Sequence, residues 1–279
     1  MQLVAVDYNA ENADKLFVES LRETGFGVLK NHPLQQSMVQ EIYDASQAFF
    51  DSEEKHQYLY NKHKQDGFFP TTVSEVAKGS TKKDIKEYFH FYPWGQCPEA
   101  LRPLLASYYE KANTLARELL GWIENNSPQE VSAKYSQPLS EMIKDSDQTL
   151  LRVLHYPPLK GDEEPDAIRA AAHEDINLIT ILPAANEPGL QVRAQDGSWI
   201  DVPCDFGNLI VNIGDMLQEA SGHYFPSTTH RVINPENVDM TKSRISLPLF
   251  LHPRPDVVLS ERHTADSYLK ERLKELGVI

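Results

Sequence analysis

Three ionisable side chains interrupt an apolar run in the stretch AAAHEDINLITIL, residues 170–182. His173, Glu174 and Asp175 stand where the surrounding pattern predicts core, and an unpaired buried charge costs several kcal/mol. In an extended segment residues i and i+2 face the same way, so His173 and Asp175 can converge while Glu174 points to the other side. A metal ion between the imidazole and the carboxylate would neutralise them.

A further ligand for this metal has to come from elsewhere in the chain. The zinc-protease motif HExxH is excluded, because it requires a second histidine at position 177 and that residue is Asn177. The later run FPSTTHRVINP supplies His230. Two histidines and one carboxylate on one face leave metal positions open, an arrangement diagnostic of non-haem Fe(II) oxygenases. On these residues alone, a hydrogen bond of His230 within the sheet explains the histidine equally well.

An arginine and a serine stand two residues apart in the run SRISLPLFLHP, where Arg244 and Ser246 share one face of a predicted strand. An arginine inside an apolar strand needs an anion, and its planar guanidinium matches a carboxylate through two hydrogen bonds. The anion could be a protein carboxylate. A carboxylate-bearing cosubstrate beside the metal explains the order of the motifs better.

These motifs together resemble the isopenicillin N synthase-like group of Fe(II)/2-oxoglutarate-dependent dioxygenases. The order HxD, then a histidine, then RxS is typical of that family. The stretches ETGFGVLKNHP, LRVLHYPP, GLQV and NIGD are similar to its other segments, so the resemblance extends from about residue 3 to residue 253. Each motif is weak alone, and their common order makes the resemblance specific.

The resemblance implies a fold, a reaction and a set of site residues. The fold would be α+β, with a double-stranded β-helix (jelly-roll) core and flanking N-terminal helices. The enzyme would oxidise a small organic substrate with O2, normally by hydroxylation, and convert 2-oxoglutarate to succinate and CO2. The implied Fe(II) ligands, which are also the catalytic residues, are His173, Asp175 and His230. The implied contacts to 2-oxoglutarate are Arg244, Ser246 and the hydroxyl of Tyr156.

The resemblance leaves two alternatives open. An oxidase like isopenicillin N synthase would use no 2-oxoglutarate, and Arg244 would bind a substrate carboxylate instead. A jelly-roll protein could also hold a metal without turnover. The chain departs from the family pattern in three ways: Leu154 stands where the family often has asparagine, Asn177 stands where many relatives have glycine, and the interval from His230 to Arg244 is longer than usual. Four histidines near the motifs are assigned no iron: His32, which we expect to bind its own loop, His155, His223 and His252.

The elements that position these residues divide the chain into two regions. Residues 1–148 are predicted to be a mainly helical dioxygenase region, with apolar residues at helical spacing in 13–23 and 33–50 and a long helix opened by Pro98. The sequence SPQE predicts a further helix capped by Ser127. Residues 149–279 carry short β-type runs between turn signals and a final helix over 264–276, as expected for the oxygenase core.

Composition excludes several partners. The net charge of −14 argues against a general affinity for nucleic acid or anionic membranes, because both require a basic surface. The beginning of the sequence lacks the features of a signal peptide, and no apolar run is long enough to span a membrane. Cys97 and Cys204 lie far apart without metal-binding spacing. We therefore expect a cytoplasmic protein with a small-molecule substrate, and the sequence indicates no oligomeric state.

Overall fold

Two β-sheets and a group of helices make up the part of the chain that the structure describes. The structure is a computed structural model, and it describes residues 3–73, 86–158, 170–184, 189–233 and 242–275. The strands among these residues are β1 (Ala5–Asp7), β2 (Phe26–Lys30), β3 (Gly67–Phe69), β4 (Glu87–Phe91), β5 (Leu150–Tyr156), β6 (Ala170–His173), β7 (Ile179–Pro183), β8 (Leu190–Arg193), β9 (Trp199–Asp201), β10 (Leu209–Ile213), β11 (His230–Val232), β12 (Arg244–Ser246) and β13 (Leu249–Leu251).

Most of the helices precede β5 in the chain, one lies between β10 and β11, and one follows the last strand. They are α1 (Ala13–Thr24), α2 (Gln36–Phe50), α3 (Arg102–Asn125), α4 (Gln129–Ser132), α5 (Leu139–Met142), α6 (Asp215–Ala220) and α7 (Ala265–Glu275), with 3-10 turns at Glu53–Tyr58 and Thr71–Val73. None of the described helices combines the length and apolar character needed to cross a membrane.

The larger sheet has nine strands and the smaller has four. The larger runs in the order β1-β2-β10-β7-β13-β5-β4-β3, with β12 also paired to β5, and the smaller runs β6-β11-β8-β9. All pairs are antiparallel except β1 with β2. The prediction of an α+β fold with a double-stranded β-helix core and N-terminal helices is confirmed.

The two faces of the larger sheet have different neighbours. Residues Leu151 and Val153 of β5 join the main hydrophobic core together with the buried stripe of α3, which includes Leu105 and Leu119. Side chains alternate along a strand, so Leu154 and Tyr156 face the other way, into the barrel. One face of β5 is therefore anchored on the helices, and the opposite face is available to build a site.

The predicted boundary at residue 148 marks the change from helical spacing to short β-type runs in the sequence, and it remains a prediction. Strands β1 to β4 precede that point, yet two of them pair with strands that follow it: β2 with β10, and β4 with β5. The sheet is thus continuous across the two regions. The segment KEYFHFYPWG, whose type the sequence left open, contains β4.

Two predicted helix starts need correction. The long helix α3 begins at Arg102, with a proline in its first turn, and not at Pro98. Residues 129–132 do form a short helix, but Ser127 does not cap it. The Ser127 hydroxyl donates instead to the carbonyl of Ile123 (2.7 Å), because the preceding helix leaves that acceptor available at its C-terminal end.

The close approach of Gly214 to the segment after the HxD motif predicts a strong effect of substitution. A Cβ at Gly214 would lie 2.1 Å from the carbonyl oxygen of Asn177. We expect Gly214→Ala to lower the free energy of unfolding of the apoprotein by about 3 kcal/mol, as overpacking does, measured by urea denaturation. Gly121→Ala is the control, since its Cβ would meet nothing within 4 Å near the C-terminal end of α3, and we expect about 0.5 to 1 kcal/mol of stabilisation. Equal stability of the two variants would contradict the packing argument.

Candidate metal centre

Three side chains converge where the smaller sheet meets the larger one. His173 ends β6 and lies directly opposite His230, the first residue of β11. The Nε2 atom of each histidine lies 3.8 Å from Oδ1 of Asp175, two residues beyond β6. One ligand atom from each of the three lies within 4.8 Å of the others, and in the described part of the chain no other such group of three occurs. The convergence predicted from sequence is therefore present in the structure.

The outer nitrogen of each imidazole bonds to a backbone carbonyl. Nδ1 of His173 donates to the carbonyl of Ala171 (2.8 Å), and Nδ1 of His230 donates to the carbonyl of Thr228 (3.1 Å). A carbonyl can only accept, so both histidines carry their proton on Nδ1. Each Nε2 therefore presents a lone pair toward Asp175, as a metal ligand must.

Asp175 is oriented by two donors from the larger sheet. Its Oδ2 atom accepts hydrogen bonds from the Thr180 hydroxyl (2.5 Å) on β7 and from the Asn212 amide (2.8 Å) on β10. Oδ1 is left facing the histidines. Asn177, which is completely buried, donates to Thr180 Oγ1 (3.1 Å) and to the carbonyl of Ile179 (2.7 Å). The carboxylate is thus fixed before any metal arrives.

The surrounding protein sets the charge of these ligands. Burial alone would raise the pKa of Asp175, but the imidazoles of His230 and His173 and the donors Asn212 and Thr180 hold that pKa below its ordinary value. The His173 side chain is 42% exposed, yet desolvation of its ring, with His230 nearby, lowers its pKa to about 4. At neutral pH the site therefore offers a neutral His173 imidazole and the Asp175 carboxylate anion, which suits a divalent cation.

A cavity lies next to this centre, inside the barrel. Its apolar wall includes Leu182, two residues after Thr180 on β7, and Ile210, two residues before Asn212 on β10. The cavity has about 390 Å³ of empty space, part of it open to solvent. Tyr156, Arg244 and Ser246 line the same cavity. All the cosubstrate contacts that the resemblance implies are thus gathered in one place.

Arg244 lies deep in this cavity. It is 8% exposed and pairs directly with Tyr156 across β12 and β5, with its guanidinium carbon 5.9 Å from the tyrosine ring centroid. Ser246 pairs with Leu154 on the same strands, so both motif residues face the barrel interior. The cavity therefore offers a cation and a hydroxyl to an anionic group.

The other histidines near the motifs do not join the triad. The expectation that His32 binds its own loop is wrong, because its Nε2 donates to the carbonyl of Gly207 (3.0 Å), on the segment before β10. His155 Nδ1 bonds to Glu87 (2.8 Å) on the helix-facing side of β5. Nδ1 of His252 lies 3.3 Å from the carbonyl of Phe250.

The residues that orient Asp175 were not identified from the sequence. Thr180 and Asn212 are polar positions in the apolar runs INLITIL and NLIVNI. That contrast was a usable signal, because a polar side chain in a buried strand needs a partner. The sequence does not show which partner each of these side chains has, because that depends on the pairing of β7 with β10 and on its register.

Two family models match most of the chain between them. The model of the 2OG-Fe(II) oxygenase superfamily matches residues 148–253, and the model described as the N-terminal region of non-haem dioxygenase in morphine synthesis matches residues 6–106. A relative, gibberellin 2-beta-dioxygenase 2 of Arabidopsis thaliana, is 30% identical over 160 residues, or 57% of this chain. That match spans 45% of the plant protein, less than half of its length.

Two solved structures resemble the chain over its whole length. A protein of Shewanella oneidensis described as an oxygenase is 67% identical, with a TM-score of 0.93 and 100% of both chains covered. A Caulobacter crescentus protein described as belonging to the 2OG-Fe(II) oxygenase family is 29% identical, with a TM-score of 0.81, 98% of this chain covered and 99% of that one.

The hydrogen bonds to Asp175 predict that its supporting residues matter for metal binding. We expect Thr180→Val and Asn212→Leu each to weaken Fe(II) binding roughly 10- to 100-fold, as loss of a group that orients a ligand does. The measurement is anaerobic calorimetric titration with Fe(II). Thr114→Val is the control, since that exposed hydroxyl bonds only within its own helix. An unchanged Fe(II) affinity in the folded Thr180→Val and Asn212→Leu proteins would show that Asp175 needs no support.

Proposed function

Because the chain belongs to the 2OG-Fe(II) oxygenase superfamily, we propose that it oxidises a small organic substrate with O2, in the simplest case by hydroxylation. The family uses Fe(II), 2-oxoglutarate and O2. One oxygen atom enters the product, and the other enters the succinate that 2-oxoglutarate becomes on loss of CO2. The observation that carries the proposal is the convergence of the His173, Asp175 and His230 ligand atoms within 4.8 Å, beside the cavity that contains Arg244.

In this proposal His173, Asp175 and His230 hold Fe(II) from one side. The bound metal supplies the redox chemistry that activates O2, and the protein supplies ligation and orientation. The Nδ1–H bonds of both histidines to backbone carbonyls keep the rings from turning away. Asp175 keeps its ionised form through its two donors, so no proton has to leave before the metal binds.

Arg244 and Ser246 are proposed to bind the distal carboxylate of 2-oxoglutarate. The guanidinium provides a planar pair of N–H donors, and burial strengthens such a charge-assisted contact. The proposed role of the Tyr156 hydroxyl is a further hydrogen bond to the same group, supported by its position opposite Arg244. The apolar walls at Leu182 and Ile210 limit water around the cosubstrate.

The two alternatives have weaker support. An oxidase that uses no 2-oxoglutarate would still need the triad, but the family match favours the cosubstrate as the anion for Arg244. A metal-binding protein without turnover would need no anion site next to open metal positions. We also propose a cytoplasmic location, because Cys97 and Cys204 are both free thiols.

A titration of the apoprotein tests the proposed centre. We expect anaerobic addition of Fe(II) and then 2-oxoglutarate to produce a visible charge-transfer band, which His173→Ala abolishes. Arg244→Gln should weaken 2-oxoglutarate binding about 30-fold, because a hydrogen bond to a charged group contributes about 2 kcal/mol. Arg117→Gln, which removes an exposed arginine paired with Glu141, is the matched control.

The outcomes of this titration separate the alternatives. Fe(II) binding without the band would favour the oxidase that uses no 2-oxoglutarate. If Fe(II) does not bind to the folded protein at all, the proposed function is wrong.

The position of Cys204 provides an independent test of the cosubstrate cavity. Cys204 lines the cavity with Arg244, whereas Cys97 is buried and desolvation raises its pKa to about 12. We expect a disulfide-exchange reagent to label Cys204 and leave Cys97 unreacted in the native protein, as mapped by mass spectrometry. Fe(II) with 2-oxoglutarate at about three times its dissociation constant should slow that labelling, and Arg244→Gln should remove most of the protection at the same ligand concentration, because it weakens binding about 30-fold. Labelling that 2-oxoglutarate does not change would contradict its proposed location.

A further inference from the structure

A second cavity lies beside the start of the C-terminal helix α7, and it is lined by none of the residues proposed to hold iron or 2-oxoglutarate. It has about 230 Å³ of empty space, part of it open to solvent. Most of its lining is apolar and includes Met216 of α6 and Leu269 of α7. Its polar lining consists of Gln148, His252 and Asp266. An apolar cavity with a few polar groups is typical of a small-molecule site.

Two walls of this cavity are bonded to the turn that follows Asp175, over residues 176–178. The amide of Met216 donates to the carbonyls of residues 176 and 177 (3.2 and 3.1 Å). On the other side, the carbonyl of Leu251 accepts from the amide of residue 178 (3.0 Å), and His252 is the next residue. The second cavity therefore adjoins the segment that carries a proposed metal ligand.

His252 is held by the same kind of bond as the two proposed iron histidines. Its Nδ1 donates to the carbonyl of Phe250 (3.3 Å), two residues earlier. Nδ1 of His173 and Nδ1 of His230 also donate to carbonyls two residues earlier. A carbonyl can only accept, so the proton of His252 is on Nδ1 and Nε2 carries a lone pair. The residue is half-buried, and its Nε2 has no hydrogen-bond partner among the described residues.

The surroundings keep this imidazole neutral. Burial, with a smaller effect of the Arg152 guanidinium, lowers the pKa of His252 to about 4, although the Phe250 carbonyl and the Asp175 carboxylate act in the opposite direction. Nε2 therefore remains an acceptor at neutral pH. Because the charge of Asp175 acts on this pKa, the ring lies within electrostatic range of that metal ligand.

The two other polar side chains of the second cavity also offer acceptors. The Gln148 amide nitrogen donates to Oδ1 of Asp147 (2.8 Å), and a carboxylate can only accept, so Oε1 of Gln148 is left as an acceptor. Asp266 is paired with Lys270 (2.7 Å), which neutralises its charge. Among its described lining residues the cavity thus presents acceptors and no unpaired charge. The ligand that complements it is neutral and donates hydrogen bonds.

The proposed function, on which this inference rests, needs a place for the primary substrate beside the metal. The cavity that contains Arg244 is assigned to 2-oxoglutarate, and the second cavity adjoins the segment after Asp175. We propose that the second cavity binds the primary substrate, a small neutral molecule whose N–H or O–H group donates to Nε2 of His252. The apolar body of this substrate lies against Met216 and Leu269. His252 then determines specificity, because a molecule that lacks the donor leaves Nε2 unpaired.

The test compares hydrogen-bond donors with their methylated analogues. The probes are phenol with anisole, indole with N-methylindole, and benzyl alcohol with benzyl methyl ether. Binding is measured by anaerobic calorimetry on protein loaded with Fe(II) and saturating 2-oxoglutarate. We expect at least one donor to bind about fivefold or more tightly than its methylated analogue. His252→Phe should remove this preference, and His252→Gln, which keeps an acceptor, should retain part of it.

His56→Phe is the matched control for loss of a histidine. The side chain of His56 is 52% exposed, on the 3-10 turn Glu53–Tyr58, and it lines neither cavity. We expect the donor preference to persist in this variant. The charge-transfer band with 2-oxoglutarate, recorded for every variant, verifies that each one is folded and holds the metal.

A second measurement tests how close the bound probe lies to the metal. Proton relaxation of the tightest-binding donor is compared between protein loaded with Fe(II) and protein loaded with Zn(II), since Fe(II) carries unpaired electrons and Zn(II) does not. We expect faster relaxation with Fe(II), because this effect falls steeply with distance and the second cavity adjoins the segment after Asp175.

Each result supports or overturns the inference. If no donor binds better than its methylated analogue, or if the preference survives His252→Phe, the inference is wrong. Equal relaxation with the two metals would also overturn it, because the probe would then lie too far from the metal to be oxidised. In these cases the charge-transfer band would still appear, and the proposed function would stand. Absence of the band in the unsubstituted protein would overturn the proposed function and the inference together.

Discussion

The hydrogen bonds that Asp175 accepts from Thr180 and Asn212 join the two sheets at the centre of the molecule. Asp175 follows a strand of the smaller sheet, and both donors belong to the larger one. The other oxygen of the same carboxylate faces the histidines of the smaller sheet. A buried carboxylate is tolerated only with such partners, so the spacing of the sheets and the geometry of the ligands are set by the same contacts.

Strand β5 has buried polar contacts on the face toward the helices and lines the cavity with the other face. On the helix side His155 bonds to Glu87, and Gln47 of α2 reaches the other nitrogen of His155 at 3.4 Å. Ser243 donates to the same Gln47 (2.5 Å), one residue before Arg244. These buried polar contacts fix β12 against β5 from outside. Arg244 on β12 is therefore held at a fixed depth inside the barrel. A guanidinium needs such a fixed position to form two hydrogen bonds with one carboxylate.

The sequence predicted the local chemistry better than the long-range contacts. The spacing of two in RxS specifies a shared face in a strand, and β12 contains both residues. The same rule predicted the convergence of His173 with Asp175, but β6 ends at His173, so the position of Asp175 depends on its bonds to the larger sheet. The strand runs and the final helix were also predictable, because alternation and turn residues are local signals. By contrast, the support of Asp175 by Asn212 depends on the register of β10 with β7, which no local pattern encodes. Ser127 does not cap the next helix for a related reason. A hydroxyl in a capping motif can instead donate to a carbonyl at the end of the preceding helix, and here it donates to the carbonyl of Ile123.

Arg244 differs in charge from the rest of the molecule. A protein with a net charge of −14 repels anions at long range, and that repulsion is screened by salt over about 10 Å at 0.1 M ionic strength. Around Arg244 the balance reverses, because this arginine is buried and the effective dielectric constant there is low. In the proposed function, anions are therefore selected within the cavity. A carboxylate must lose part of its hydration to reach the guanidinium, and it recovers that cost through two parallel hydrogen bonds.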